Sequence, residues 1–443
     1  MLDMRARSHA LLAVTVLVIG CGPAQVSPSP SVGAVSPASS AVASASASPT
    51  ESVASPSPSR SPAAGSTWHQ VASLKDAAAS RSGMVGFAGG YVVMRDGSRI
   101  WFSADGKTWT PVALPFKTSK DSNGIELKAE AHAIASDGRQ LIVVGSYTHE
   151  PCDPQQGTGG GPECIGSPIS WTSTDGKAWQ SSYPWPGPTV PKPYNQGSEF
   201  TTAWPVPTGG WDAAVAYFAG EAGGVGGIFH SADGLVWKAL PKTPPTKLTG
   251  SPNPPELWGV GASDSTGRTV VGAAWYLSGG TGSVTRLFST TDGYTWTPLE
   301  GYPGDGSDTI VAIPPVIGGS TSWLFGGVDK TPVPTVWSSP DLATFSAVGL
   351  PTGSQDARGS LNALIRSAQG YVATGQVSLG EQSRRASWIS ADGASWALLA
   401  RGLETPISSD ADGPDIVADG PAGVLGLTWT FDSDMPAIVW LLH

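Results

Sequence analysis

Seven times along this chain an aromatic residue stands two positions before a Ser/Thr-x-Asp-Gly-x-x-Trp box or a worn copy of it, and the seventh copy is divided between the chain ends. Trp101 precedes Ser103-Ala-Asp105-Gly-Lys-Thr-Trp109, Trp171 precedes Ser173-Thr-Asp175-Gly-Lys-Ala-Trp179, and Phe229 precedes Ser231-Ala-Asp233-Gly-Leu-Val-Trp237. Phe288 leads the box of Asp292 and Trp296, Trp337 a degenerate one with Asp341 and Phe345, and Trp388 that of Asp392 and Trp396. The chain closes on Trp440-Leu-Leu-His443 with no box after it, and Gly65-Ser-Thr-Trp68 is a downstream half with nothing before it. Joined, the two halves make one more unit, which predicts a closed ring.

Around each box the same order recurs: an apolar stretch, a Gly/Asp turn, a second apolar stretch, a variable loop, then the box. In the second unit Ala131 to Ala135 and Leu141 to Val144 flank Ser136-Asp-Gly-Arg139, and Ile169 to Ser173 leads into Asp175-Gly176. Short β-branched and aromatic runs separated by Asp-Gly turns predict antiparallel hairpins. Four strands per unit make a propeller blade, and four to eight blades is the usual range. The expectation is an all-β, seven-bladed β-propeller over residues 66–443, whose last blade borrows the strand around Trp68. Successive closing aromatics lie 41, 70, 58, 59, 49 and 51 residues apart, so insertions fall in particular loops. The box aspartates Asp105, Asp175, Asp233, Asp292, Asp341 and Asp392 are expected to accept backbone N–H groups of the turns they open, because copies spread round a ring cannot converge on one substrate.

Ahead of the repeats, Arg5 and Arg7 precede an apolar run from Ala10 to Ile19 that falls short of the ~20 residues a membrane span needs. Residues 1–20 read as a signal peptide, and the small residues before Cys21 resemble a bacterial lipobox, which implies acylation of Cys21. Residues 21–65 are almost wholly Ser, Pro, Ala, Val and Gly and read as a disordered tether. The expected location is therefore the bacterial cell envelope, outside the cytoplasm and held by lipid. With a net charge of -10 and no cluster of Lys or Arg, nucleic acid is not an expected partner. In an exported chain the pair Cys152 and Cys164 reads as a disulfide; a metal site with His149 and Asp153 is the alternative, against which the wide cysteine spacing counts. No metal or cofactor is expected, and a monomer is.

The boxes resemble those of the Asp-box, or bacterial neuraminidase repeat, propellers, although each is one residue shorter between Asp and Trp than the family pattern Ser-x-Asp-x-Gly-x-Thr-Trp. The resemblance covers about residues 64–443 and implies a fold shared by sialidases, other glycoside hydrolases, sorting receptors and assembly factors. The Arg-Ile-Pro motif usual before the first sialidase box is missing: Arg99-Ile100 is followed by Trp101.

The long insertions gather on the face opposite the boxes, where binding sites on rigid rings usually lie. The Pro-rich loop from Ser181 to Phe200 offers Tyr183, Trp185, Tyr194 and Phe200 as ligand-binding aromatics. A sialidase would need three arginines, for which Arg81, Arg358 and Arg366 are candidates without support from spacing. A glycosidase needs two carboxylates, and Glu126, Glu130, Glu199, Glu256, Asp305, Asp308, Asp356 and Asp412 lie near loop-face connections. No Gly-x-Ser-x-Gly elbow appears, and His132 and His149 are read as structural. The leading expectation is non-enzymatic recognition of a glycan or envelope protein; the alternatives are an Asp-box-type glycoside hydrolase and an assembly factor for a membrane complex.

Overall fold

The computed structural model describes residues 66–74, 82–95, 99–116, 128–148, 166–183, 197–218, 225–240, 261–276, 283–302 except 294, 316–318, 322–328, 333–399 except 381, 413–428 and 436–443. All regular structure among them is β-strand, 28 strands grouped four to a blade in seven blades. Blade 1 spans residues 82–113, blade 4 residues 261–298 and blade 5 residues 316–349. Blade 2 is Ala129–Ser136, Leu141–Thr148, Gly166–Ser173 and Gln180–Ser181. Blade 3 is Gly197–Pro205, Trp211–Phe218, Val225–Ser231 and Lys238–Ala239. Blade 6 is Arg358–Ser367, Gly370–Leu379, Gln382–Ser390 and Ala397–Leu399. Blade 7 takes Ile416–Gly420, Gly423–Thr428 and Ala437–Leu442 from one end of the chain and Trp68–Leu74 from the other.

The first strands of neighbouring blades approach one another at all seven junctions, so they line the centre of the ring and the fourth strands lie outermost. Each blade is buried on both faces, which is why its strands read as unbroken apolar runs. Val143 faces the core shared with blade 1, while Ile142 and Val144 face the core shared with blade 3. The hydrophobic core is accordingly a ring of seven interface clusters, one per neighbouring pair. Trp171, Trp337 and Trp388, the leading aromatics of three units, are at most 1% exposed within those clusters.

The seam at blade 7 has no box. It is pinned instead by antiparallel pairing of Trp68 with Leu442 and Leu74 with Ala437, and by reciprocal backbone bonds between Thr67 and His443 of 3.0 and 3.1 Å. Tyr91 of blade 1 locks the next junction: its hydroxyl donates to Gly423 O at 2.7 Å and accepts from Ala422 N at 2.9 Å. Burial pushes the Tyr91 phenol up to about 12, so it stays protonated and keeps donating.

Candidate functional site

Every first strand runs from the loop end of the ring to the box end, so the two ends carry different residues of the same strands. At the box end the geometry repeats. In blade 1, Ser103 Oγ accepts Gly106 N at 2.8 Å while Asp105 Oδ1 accepts Lys107 N at 2.9 Å and Thr108 N at 2.8 Å. The same bonds recur at Asp175, Asp233, Asp341 and Asp392, and Asp292 accepts Thr295 N at 2.7 Å. These N–H donors hold the Asp105 and Asp341 carboxyls down at about 2 and lower those of Asp175 and Asp392 in the same way. Carboxylates saturated by their own turns are staples rather than catalysts.

The box glycine is sterically required. At Gly176, φ is +72° and a Cβ would stand 2.5 Å from Cδ2 of Phe102 in the preceding blade. In the degenerate box Leu342 takes the same backbone state at φ 65°, the one non-glycine among the described residues to do so, and its side chain is buried in the blade 4–5 core. A cleft of about 590 Å³ opens beside it, lined by Thr290, Thr295, Glu300, Asp341 and Arg268, whose Nη1 donates to Asp341 O at 3.2 Å.

The loop end is not repetitive. Across blade 6, Arg358 pairs with Ser378 and then Ser383, and Ser360 with Gln376 and then Arg385. Strand alternation puts these six side chains on one face, the face on which Val372 and Ile389 meet blade 7 farther down. Its loop end is thus polar where the rest of the interface is apolar. From blade 7, Asp415 receives Arg385 Nε on both oxygens at 2.8 and 2.9 Å, with the carboxylate 3% and the guanidinium side chain 18% exposed. Thr374 Oγ1 adds a bond to Asp415 O at 2.7 Å. Arg358 and Asp356 are exposed at the same end.

The second unusual place joins blades 2 and 3. A bulge between Ala131 and Ala133 makes His132 the extra residue of its strand. His132 Nδ1 lies 2.9 Å from Phe200 O and 3.5 Å from Glu199 Oε2, while Nε2 lies 3.3 Å from Ser146 Oγ. Nearby, burial pushes the Tyr217 phenol up to about 12.

The expected aromatic site separates into parts. Phe200 belongs to the first strand of blade 3 rather than to a loop; it is fully buried against Phe229 and Trp237, so its ring is not offered to a ligand. Its burial follows from strand alternation, which aims it into the blade 2–3 core. Tyr183 is half-buried and packs edge-on against Phe116 at 5.1 Å and Tyr147 at 4.9 Å. Trp185, Tyr194, Cys21, Cys152, Cys164 and His149 lie outside the described residues, as do Arg81, Glu126, Glu256, Asp305, Asp308 and Asp412. Arg358 and Arg366 cannot share a ligand: they stand at opposite ends of one strand, roughly 26 Å apart at ~3.3 Å per residue. Glu130 and Glu199 lie in the loop-end stretches of first strands, the former exposed.

Sequence reasoning passed over Arg385, Asp415 and Ser146, and read His132 as structural. The Arg385–Asp415 pair spans 30 positions and His132–Phe200 spans 68, so local spacing carries no sign of either contact. The one trace in the chain was a histidine in an alanine-rich first strand that also carries Glu130.

No family model matches the chain, and no curated protein matches it. Among solved structures it is similar to Trypanosoma rangeli sialidase, at 15% identity over 86% of this chain and 60% of that one, with a TM-score of 0.43. It is also similar to a Hadza microbial sialidase, at 14% identity over 74% of this chain and 66% of that one, with a TM-score of 0.39. The chain thus spans 60% of the length of the trypanosomal enzyme.

Proposed function

We propose that the protein is a glycoside hydrolase of the Asp-box propeller type, working on an anionic glycan at the loop end of the ring. The observation that carries this reading is the polar notch between blades 6 and 7, where Arg385 is held on Asp415 and the exposed Arg358 shares its face. Guanidinium groups present donors in a planar fork suited to a sugar carboxylate. Asp356, two residues before Arg358 and exposed, supplies a carboxyl group for acid–base work on the glycosidic bond. Incubating the full chain with a panel of sialylated, uronic-acid and neutral glycans and weighing the products tests the reading. Shortened acidic glycans, lost on Arg358→Ala and on Asp356→Asn, are the expected result; unchanged masses throughout would sink it.

Retention without cleavage is the second reading, and the partly exposed rings of Phe116 and Tyr183, packed over the buried Tyr147, favour it, because edge-packed rings form a pre-ordered platform for a sugar face. Retained intact glycan that is released by Tyr183→Ala would select this reading over hydrolysis. In either case the lipobox-like segment ending at Cys21 and the tether after it would hold the ring at the envelope. Recovery of Cys21→Ser from the soluble rather than the membrane fraction is the matching result.

A further inference from the structure

The contacts of His132 define its tautomer. Phe200 O, 2.9 Å from Nδ1, can only accept a hydrogen bond, so Nδ1 carries the proton. Glu199 Oε2, 3.5 Å from the same nitrogen, adds negative charge on that side. The neutral ring therefore turns the lone pair of Nε2 toward Ser146 Oγ at 3.3 Å, and the hydroxyl donates to it. This order of groups, hydroxyl to Nε2 and Nδ1–H to an acceptor, is what a serine nucleophile requires.

The arrangement is particular to blade 2. Bulges recur in the first strands of blade 3, between Phe200 and Thr202, and of blade 6, between Leu361 and Ala363. The extra residues there are Thr201 and Asn362, so the repeat supplies the re-aimed position and only blade 2 fills it with an imidazole. The His132 side chain is 4% exposed and that of Glu199 21%, while Ser146 is half-buried near the loop end of its strand.

We propose that Ser146 is a nucleophile toward acyl esters, with His132 as its general base and Glu199 as a positioning residue acting through His132. Ser146 Oγ forms the bond to the ester carbonyl carbon as its proton passes to Nε2. The alcohol leaves with that proton, and water then cleaves the serine ester by the same path, regenerating Ser146 and releasing the acid. The inference does not rest on the glycan reading, since it uses blades 2 and 3 rather than the notch between blades 6 and 7.

The test is to treat the full chain with a fluorophosphonate, which transfers phosphorus to an activated serine with loss of fluoride, and to map the adduct by peptide mass spectrometry. A single adduct on Ser146, absent from heat-unfolded protein, is expected. Labelling should speed up as pH rises through the titration of His132, and His132→Gln should slow it by about 10²-fold or more. Glu199→Gln should slow it less. The proposal is overturned by an unlabelled Ser146, or by labelling of other serines alone. Because the mapped site is read on the unaltered chain, the outcome stands even where His132→Gln does not fold. A Ser146 adduct without any change in glycans would keep this inference and sink the glycosidase reading; shortened glycans without an adduct would do the reverse.

Discussion

The box end and the loop end are made by the same strands, yet one repeats and the other does not. At the box end six carboxylates accept the N–H groups of their own turns, and a residue at the Gly106-equivalent position leans on the preceding blade each time. At the loop end blade 6 carries an arginine, Arg385, matched by Asp415 of blade 7, and blade 2 carries an imidazole matched by blade 3. Groups that recur round a ring serve the ring, whereas a pair found once is available for a site. Short local turns can be copied; contacts between different blades need two partners that arise separately.

The largest effect belongs to the loop end. Arg385→Met should destabilise by about 3–5 kcal/mol, because it removes the guanidinium that donates to both oxygens of the buried Asp415, and should remove activity on acidic glycans together with stability. Replacing both members, Arg385→Met with Asp415→Leu, should restore most of the melting temperature and none of the activity. A double variant that stays active would place the site elsewhere.

At the box end, Gly176→Ala should cost about 2–3 kcal/mol in denaturant unfolding, combining ~1–2 kcal/mol for a left-handed residue with the clash against Phe102. Leu342→Gly sharpens the same comparison. It relieves ~1 kcal/mol of backbone strain but empties a buried side-chain position worth ~2–5 kcal/mol, so a net loss of about 1–4 kcal/mol is expected. A gain in stability instead would show that the leucine does no more than the glycines do.

The smallest effects are in pH. The Asp105 and Asp341 carboxyls sit at about 2 in the fold, below their unfolded values near ~3.9. Their contribution is therefore present above pH ~4 and lost as pH falls toward 2, and Asp105→Asn should flatten the acid limb of a stability–pH curve. His230 works in the opposite sense: the hydrogen bond from Nδ1 to Asp212, at 2.8 Å, raises it. Its contribution is full below the unfolded value of ~6.5 and disappears as pH rises through the raised one, a change that His230→Gln should abolish in thermal melts between pH 6 and 8.

The fold was legible to the level of individual strands. The expected closing strand around Trp68 is Trp68–Leu74, and the expected runs of blade 2 lie inside Ala129–Ser136, Leu141–Thr148 and Gly166–Ser173. The site was legible only as a face. Phe200 was assigned to a binding loop because Pro-rich sequence surrounds Tyr183 and Trp185, but the alternation of a strand beginning at Gly197 turns it into the core. His132 was read as structural because no nucleophile elbow accompanies it; the bulge that re-aims it has no residue signature of its own.

What this sequence determined by itself was the ring: the box spacing specifies four strands and a turn locally, seven units specify the blade number, and half-units at both ends specify where the circle closes. Only the tertiary structure decided which residues share a rim. Blades are joined by connections of unequal length, and the side chains that meet between them, Arg385 with Asp415 and His132 with Glu199, are brought together by blade packing and strand register rather than by proximity along the chain.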